Sequence, residues 1–486
     1  MRKSLILLIV LLLASGIFTS YCAGQLYELR DQVTVTEKTI LGDPAAADGL
    51  RVTLKTTWDD YLFWTTTPTL GSGQEPETEY EFRSSRPSRS YIYRDGGIDY
   101  YLSYDLPDMD DLRYGEEDME FTGMHKAYKE LYDATPDGRN GEKEIRLADY
   151  IEFYPLRTSL SILGRGFDLN EYYDSASYDK YFSGPNDAKY ILNDYFKIPV
   201  LEGETLTLQV SKENTGHPYS WGESQTETDY YYPETHCVVT DDTCFFTISL
   251  RSSLKEAPMD ASHLKDGYGI YSFKFDTVHD DELNYDYPVI DPYSFSNAYP
   301  LDPASRILGL GESADKTSLH LLTEEKGTVW FTAIDQETLE TKTRISLAEV
   351  DDTTYSSYMH YTEDFVAVFL QSLEKVAVIS ISEDGSYELE FVADYIPNAD
   401  HNLPLQPNVL AFDGKRLAIT NSDYEYFGSS HYFAGYLLII VDKDGVQYYG
   451  EYETSLNTGR NSNRASWDYR VRHVDDDSLK LEWMNK

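Results

Sequence analysis

A threefold repeat of short apolar segments in the last third of the chain restricts the fold more than any other feature. Each unit has an apolar segment, a turn, a second apolar segment and a final segment that alternates with polar residues. Short apolar or alternating runs between turn residues are typical of β-strands. The sequence therefore predicts three consecutive antiparallel meanders. Their second segments begin near Val329, Val376 and Leu437, which are 47 and 61 residues apart.

The change in polarity within each unit predicts how the meanders pack. The middle segment is apolar on both faces, as in Val376–Ile381, whereas the last segment turns polar. A strand between neighbouring sheets buries both faces, while an outermost strand meets solvent. One meander cannot cover its own faces, so several must stack into a ring.

We therefore expect an all-β, β-propeller-like array over residues 24–486, with about six to eight four-stranded blades. Long loop insertions and one short helical segment, at Glu117–Tyr132, interrupt the strand pattern. The ends of a ring must be joined, so the first strand after the leader, about Val33 to Ile40, should share a blade with C-terminal strands. A pair of β-sandwiches is the alternative fold.

The N-terminus has the pattern of an export signal. Arg2 and Lys3 precede an unbroken apolar run from Leu5 to Leu13, and polar residues begin at Thr19. An apolar stretch of about fifteen residues is shorter than the roughly 20 that a spanning helix needs. Residues 1–23 are therefore predicted to be a signal peptide or an N-terminal membrane or lipid anchor. The expected location is extracellular, or anchored on the outer face of the cytoplasmic membrane.

Cys22 is the candidate for lipidation because it follows the apolar run directly. Tyr21 stands where a lipoprotein signal has Gly or Ala, so ordinary cleavage before Ala23 and retention of the leader stay open. The other two cysteines, Cys237 and Cys244, flank what looks like a hairpin tip. They are candidates for a disulfide in an oxidising compartment. The alternative is a pair of buried free thiols.

The charge of the chain limits its partners. It has 84 acidic and 41 basic residues, for a net charge of −43. Such a surface repels nucleic acid and anionic lipid, so neither is expected as a partner, and membrane contact is expected only through the N-terminal segment. No metalloprotease, serine-hydrolase or P-loop motif occurs, and the Asp-rich segments 108–111 and 442–445 depart from calcium-loop spacing. No catalytic residue, metal or cofactor is therefore predicted.

Tyrosine is the remaining clue to function, with 43 residues in the chain. A tyrosine side chain offers a flat apolar face and a polar tip, which suits ligand contact, although tyrosine is also a common strand residue. We expect a non-enzymatic binding or interaction module for a peptide, a protein or a neutral glycan. A glycan-active hydrolase or lyase on the same scaffold is the alternative. The candidate ligand contacts, in or beside predicted loops, are Tyr230, Tyr231, Tyr232, Tyr424 and Tyr426.

Three parts of the chain have a distinctive sequence. They are Leu41–Leu50 with Leu62-Phe63-Trp64, Leu147–Tyr150 with Tyr154-Pro155, and Gly267–Tyr271. These segments resemble a group of uncharacterised exported proteins from gut-type Gram-positive bacteria. The similarity spans most of the mature chain and implies a propeller-like ectodomain, without an activity to transfer.

Overall fold

The computed structural model divides the chain into two compact units. The first contains residues 1–92 and 364–486, and the second contains residues 93–363. Within the described part of the chain, no helix combines the length and the apolar character that crossing a membrane requires. The described residues are 2–30, 34–58, 62–82, 98–104, 123–154, 156–162, 195–212, 218–219, 231–252, 256–257, 259–280, 285–291, 293–350, 357–395, 409–421, 435–454, 471–473 and 479–484.

Strands dominate both units. In chain order the elements are α1 (Arg2–Arg30), β1 (Val35–Gly42), β2 (Leu50–Trp58), β3 (Leu62–Thr67), β4 (Glu77–Phe82), β5 (Ile98–Tyr104), α2 (Gly123–Ala134), β6 (Arg139–Arg146), β7 (Leu156–Ile162), β8 (Thr205–Lys212), β9 (Pro218–Tyr219), β10 (Tyr231–Glu234), β11 (Cys237–Val239), β12 (Thr243–Phe246), β13 (Ser249–Ser252), β14 (Glu256–Ala257), β15 (Gly269–Asp280), β16 (Tyr285–Ile290), β17 (Ser296–Pro300), β18 (Arg306–Glu312), β19 (Ser318–Glu325), β20 (Thr328–Asp335), β21 (Thr341–Glu349), β22 (Ser357–Tyr361), β23 (Phe365–Leu370), β24 (Lys375–Ile381), β25 (Tyr387–Asp394), β26 (Val409–Phe412), β27 (Leu417–Asn421), β28 (Gly435–Asp442), β29 (Gly445–Thr454), β30 (Val471–His473) and β31 (Leu479–Trp483).

The three repeated units are antiparallel meanders, as the sequence predicted. In the second unit, β18, β19, β20 and β21 form a four-stranded sheet in sequence order. In the first unit, β23, β24 and β25 pair in sequence order, and so do β26, β27, β28 and β29. Strand β23 is buried throughout, whereas β25 is largely exposed or half-buried. These sheets are blades of a propeller-type, all-β fold.

Strands from the two ends of the chain pair within the first unit. Strand β1 pairs antiparallel with β29, from Val35 opposite Thr454 to Gly42 opposite Tyr448. Strand β31 pairs antiparallel with β2, from Leu50 opposite Trp483 to Leu54 opposite Leu479. The prediction that the first strand after the leader joins C-terminal strands is therefore confirmed.

A side-chain contact reinforces this pairing. The guanidinium of Arg416 lies 4.0 Å from the ring centroid of Trp483 and donates to the carbonyl of Ala46 at 2.7 Å. It also donates to Asp413, with Nε 2.9 Å from Oδ2. The indole of Trp483 donates in turn to the carbonyl of Ala411 at 3.2 Å. Arg416 thus connects the N-terminal segment, the β26–β27 turn and the last strand.

The described part of the helix expected at Glu117–Tyr132 runs from Gly123 to Ala134, and residues 117–122 lie outside the described residues. Gly123, where this helix begins, has a φ of +56°, a conformation that glycine adopts easily. The buried side chains of Ala127 and Leu131 pack in a small core with residues of β6 and β8. The helix is therefore held by an apolar face on a sheet.

An aromatic core holds the part of the second unit that carries β11, β12 and β15. Phe196 lies 4.7 Å from Tyr271 and 5.8 Å from Phe246, centroid to centroid, both edge to face. All three side chains are fully buried. Burying one such ring stabilises a fold by about 2–3 kcal/mol. The β11–β12 hairpin is thereby fixed at its base while its turn stays at the surface.

Candidate functional site

Only two of the five tyrosines predicted to contact a ligand are among the residues that the structure describes. Tyr230, Tyr424 and Tyr426 lie outside the described residues. Tyr231 and Tyr232 belong to β10, where they pair with Ser252 and Arg251 of β13. Ligand contact by these five residues therefore stays a prediction.

Other tyrosines contribute to packing in the first unit. The hydroxyl of Tyr448 donates to Glu37 at 3.0 Å and lies 2.9 Å from the hydroxyl of Tyr452. The ring of Tyr452 stacks on Tyr436 at 4.8 Å, with the ring planes 8° apart. All three tyrosines are buried, and burial raises the pKa of Tyr448 to about 12. In this sheet tyrosine serves as a buried strand residue, as in the alternative interpretation of the sequence, and the hydroxyls of Tyr448 and Tyr452 are hydrogen-bonded.

No disulfide joins any of the three cysteines in this structure. Cys22 is half-buried within α1, Cys237 begins β11 and is half-buried, and Cys244 of β12 is fully buried. Burial raises the pKa of the Cys244 thiol. Lipidation of Cys22 and a disulfide between the other two stay predictions.

A cleft of about 580 Å³ opens at one end of two sheets in the second unit. Three turns form it: the β11–β12 turn, the β18–β19 turn and the β20–β21 turn. The last two lie at the same end of their meander because two strands separate them. The residues around the cleft include Thr240–Thr243, Glu312, Lys316, Thr317 and Asp335–Glu337.

The β18–β19 turn is built around Asp315. Its carboxylate accepts from Ser313 Oγ at 2.6 Å and from the backbone N–H of Thr317 at 3.1 Å. The hydrogen bond from Ser313 is the main reason that the pKa of Asp315 is lowered. Lys316 has a φ of 58°, the left-handed conformation of a tight turn. Asp315 therefore stays ionised and holds the turn that presents Lys316.

The β20–β21 turn uses Asp335 in the same way. Oδ1 of Asp335 accepts from the backbone N–H of Thr338 at 2.8 Å, and Lys342 Nζ lies 3.2 Å from Oδ2. The backbone hydrogen bond from Thr338, followed by Lys342, lowers the pKa of Asp335 to about 2. Lys342 also donates to Ser318 Oγ at 2.9 Å. This ion pair joins the two turns of the meander at the wall of the cleft.

Glu312 differs from these aspartates. It is half-buried at the end of β18, and burial is the main reason that its pKa is raised. Gln336 Nε2 donates to it at 3.3 Å, and Lys316 opposes the increase in pKa. The negative charge of Asp241, in the β11–β12 turn, adds to the increase. Two carboxylates from different sheets therefore interact across the cleft.

The cleft is negatively charged overall. Its lining contains five carboxylates, one lysine and several threonines. Such a surface attracts ammonium and guanidinium groups and repels anions. Among the described residues, no group of three or more His, Cys, Asp or Glu side chains is arranged to hold a metal ion. The lining is thus suited to a cationic or hydrogen-bonding organic ligand.

A buried histidine lies next to the strand that carries Glu312. His320 of β19 is fully buried, with its ring centroid 5.1 Å from Phe331 and 5.4 Å from Tyr361. Burial lowers its pKa to about 4, so the ring is neutral near pH 7. It pairs with Gly311, where a Cβ atom would collide with the Tyr361 hydroxyl. His320 therefore packs among buried aromatic side chains and does not face solvent.

Sequence reasoning missed the members of this cleft. Glu312, Asp241 and Gln336 stand out by no motif, because they come together through turns that are far apart in the chain. A usable signal was present in Ser313-x-Asp315-x-Thr317 and Asp335-x-x-Thr338, since such spacings favour side-chain-capped turns. Two capped turns that are separated by two strands must lie at the same end of an antiparallel meander.

Comparisons with known proteins return no match to a family model and none to a curated protein. Solved structures that are similar include a candidate 6-phosphogluconolactonase from Bacteroides fragilis, 10% identical, which covers 90% of this chain and 99% of its own, with a TM-score of 0.31. The periplasmic gluconolactonase of Pseudomonas aeruginosa is 12% identical, covers 82% and 95%, and has a TM-score of 0.25. A β-propeller domain from Myceliophteria thermophila is 13% identical, covers 52% and 80%, and has a TM-score of 0.20. Scores this low carry no argument about activity, and the propeller-type assignment rests on the sheets described above.

Proposed function

We propose that this protein is an exported, non-enzymatic binding module that holds a peptide or protein segment with a basic side chain in the acidic cleft. The observation that carries the proposal is a cleft of about 580 Å³ in which five carboxylates face one lysine. A cavity of this volume is large enough for a few side chains of a ligand. The net charge of −43 adds long-range attraction for a basic partner.

The state of the carboxylates supports binding without turnover. Asp315 and Asp335 accept hydrogen bonds from their own turns, and Asp335 also pairs with Lys342. Carboxylates that are held by such hydrogen bonds are rigid charges that position a ligand. A rigid, pre-formed set of acceptors binds a cation with little loss of conformational entropy.

One observation favours the second candidate, a glycan-active hydrolase. Glu312 has a raised pKa and Asp335 a lowered one, and both face the same cleft. Two carboxyl groups with opposite shifts are the arrangement of a general acid and its ionised partner. Against this, Asp335 is already engaged by Thr338 and Lys342, which leaves its carboxylate poorly placed to act on a sugar.

Location is proposed from the leader, Arg2-Lys3 followed by the apolar run of residues 5–13. A fusion of the full chain to a reporter that is active only outside the cytoplasm should be exported. Cys22→Ala should release the protein from membranes if Cys22 carries a lipid. Retention of Cys22→Ala at the membrane would indicate an uncleaved leader.

The test of function is titration of the purified protein with short peptides that differ only in one Lys, Gln or Glu. We expect the Lys peptide to bind most tightly and to lose affinity between 50 and 300 mM salt, because exposed charges are screened. Glu312→Gln combined with Glu337→Gln should weaken that binding by at least about tenfold, which is 1.4 kcal/mol. Glu349→Gln, at the other end of β21, is the matched control.

Two outcomes would overturn the proposal. Equal binding of the three peptides by the parent and the double variant would remove the cleft as the site. Release of reducing sugar from neutral polysaccharides, abolished by Glu312→Gln, would replace the proposal with the hydrolase.

A further inference from the structure

The two cysteines of the β11–β12 hairpin lie on one face of it. Cys237 pairs with Phe246, and Cys244 pairs with Val239, so the two cysteines are diagonal neighbours across the strands. Proximity to the Cys237 thiol also contributes to the raised pKa of Cys244. Cys237 is half-buried and Cys244 is fully buried. One thiol is therefore reachable from solvent and the other lies behind it.

The segment between these thiols is a wall of the acidic cleft. Thr240 and Thr243 close the turn, with the N–H of Thr240 2.9 Å and its hydroxyl 3.0 Å from the carbonyl of Thr243. The carbonyl of Asp242 accepts from the N–H of Phe275 at 3.0 Å, which fixes the turn to β15. Only three residue pairs connect β11 to β12. Strand β12 is also paired with β15, where Cys244 lies opposite Phe273, so a shift between the two cysteines falls mainly on β11 and on the turn that carries Asp241.

A bond between these thiols would require the hairpin to shift. Diagonal partners in an antiparallel pair have Cα atoms about 7–8 Å apart, whereas disulfides need about 4.4–6.8 Å. A bridge would therefore pull the two strands together or slide one along the other. A disulfide that forms against such resistance is reduced more easily than a structural one.

We propose that Cys237 and Cys244 form a reversible thiol–disulfide switch, and that its state sets the position of Asp241 at the acidic cleft. The part that concerns the ligand rests on the proposed function. The oxidant is a small-molecule disulfide. The thiolate of Cys237 attacks one of its sulfurs and releases one small thiol, and the sulfur of Cys244 then displaces the second, losing its proton to solvent. The two cysteines are oxidised to one disulfide, and one small disulfide is reduced to two thiols.

The switch acts on the ligand through Asp241 and Glu312. In the reduced state of this structure the charge of Asp241 contributes to the raised pKa of Glu312. A shift of the turn changes the distance between these carboxylates and hence the field that a bound cation meets. Oxidised and reduced protein should therefore differ in affinity for a basic ligand.

The first measurement concerns the thiols alone. The protein, with Cys22→Ser to remove the third thiol, is incubated with oxidised glutathione, denatured and alkylated. We expect both thiols to be lost together, with a mass decrease of two hydrogens, and to return with dithiothreitol. Persistence of both thiols, or a stable glutathione adduct on Cys237, would overturn the switch.

The second measurement concerns the coupling to the cleft. Amide hydrogen exchange of Thr240–Thr243 should change between the two states, and the affinity for the Lys peptide should change at least threefold. Cys237→Ser, and separately Cys244→Ala, should show neither change on treatment. A disulfide that forms without altering exchange would overturn the coupling, whether or not a peptide binds. A change in exchange with no peptide bound in either state would overturn the proposed function and keep the switch.

Discussion

Two meanders of the same design are used differently in the two units. In the first unit, strand β29 is the last of its meander, yet β1 pairs with its outer edge. Tyr448, Tyr449 and Tyr452 of β29 are consequently buried. In the second unit, β21 occupies the same position and is exposed along most of its length.

The turns differ in the same way. The turn from β28 to β29 is short, with Asp442 paired to Gly445, and Gly445 adopts a φ of 103°. The turn from β20 to β21 is longer, and its residues Asp335–Glu337 line the cleft. In these repeated sheets the last strand determines whether a further strand pairs with its edge, whereas the turns form the cleft. The two features vary separately.

The difference between the two units predicts that removal of the last twenty residues has the largest effect on stability. Leu479 and Trp483 of β31 are buried in a core of the first unit, and loss of β31 exposes the residues that pack against them. We expect the free energy of unfolding to fall by more than about 5 kcal/mol, since two large buried side chains are lost. For a unit of this size that lowers the melting temperature by about 10–20 °C. Differential scanning calorimetry measures it, with Met484→Ala, which is 44% exposed, as the control. An unchanged melt would contradict closure by the terminal strand.

The next largest effect concerns pH in the second unit. Burial lowers the pKa of His320 to about 4, below its ordinary 6.5, so the folded protein favours the neutral ring. That contribution is complete above pH 6.5 and is lost as the pH falls towards 4, by up to about 3 kcal/mol. Two charges also act on the pKa of His320. Asp315 raises it, and Lys342 lowers it further.

Urea unfolding at pH 7.5 and pH 4.5 tests this prediction. The loss of stability between the two pH values should be smaller in His320→Phe than in the parent protein. Burial also lowers the pKa of His360, so His360→Phe is the matched variant. An equal loss in the parent and in His320→Phe would show that His320 is not the group responsible.

A smaller effect is expected for Arg416→Lys in the first unit. Lysine keeps the charge but loses the planar stacking on Trp483 and the hydrogen bond to Ala46. We expect a loss of about 1–2 kcal/mol in chemical denaturation. Lys415→Arg, on the adjacent exposed position, should change stability by less than about 0.5 kcal/mol. Equal stability of Arg416→Lys and the parent would remove the proposed link between the chain ends.

The smallest effect on stability is expected for Glu312→Gln. Because burial disfavours the charged form of Glu312, a neutral amide removes that cost. Stability near pH 7 should be unchanged or rise by less than about 1 kcal/mol, while affinity for the Lys peptide falls. A marked loss of stability would show that the carboxylate holds the turn, as Asp335 does, rather than serving a ligand.

The sequence supported the fold better than the site, for a physical reason. Burial on both faces leaves a local record in runs such as Phe365–Leu370, and the meander order follows from the intervening turns. The pairing of β1 with β29 followed from the requirement that a ring be closed. Asp241 and Glu312, by contrast, meet only through tertiary packing, and no local pattern distinguishes them among 84 acidic residues.

The pairing of Val35 with Thr454 also has a consequence for the order of events during synthesis. The two strands are far apart in the sequence, so β1 leaves the ribosome long before β29 and waits unpaired until β29 has been made. Contacts of such long sequence separation make folding slow. The first unit therefore cannot complete its sheets until β29 has been made, and β1 stays available to chaperones until then.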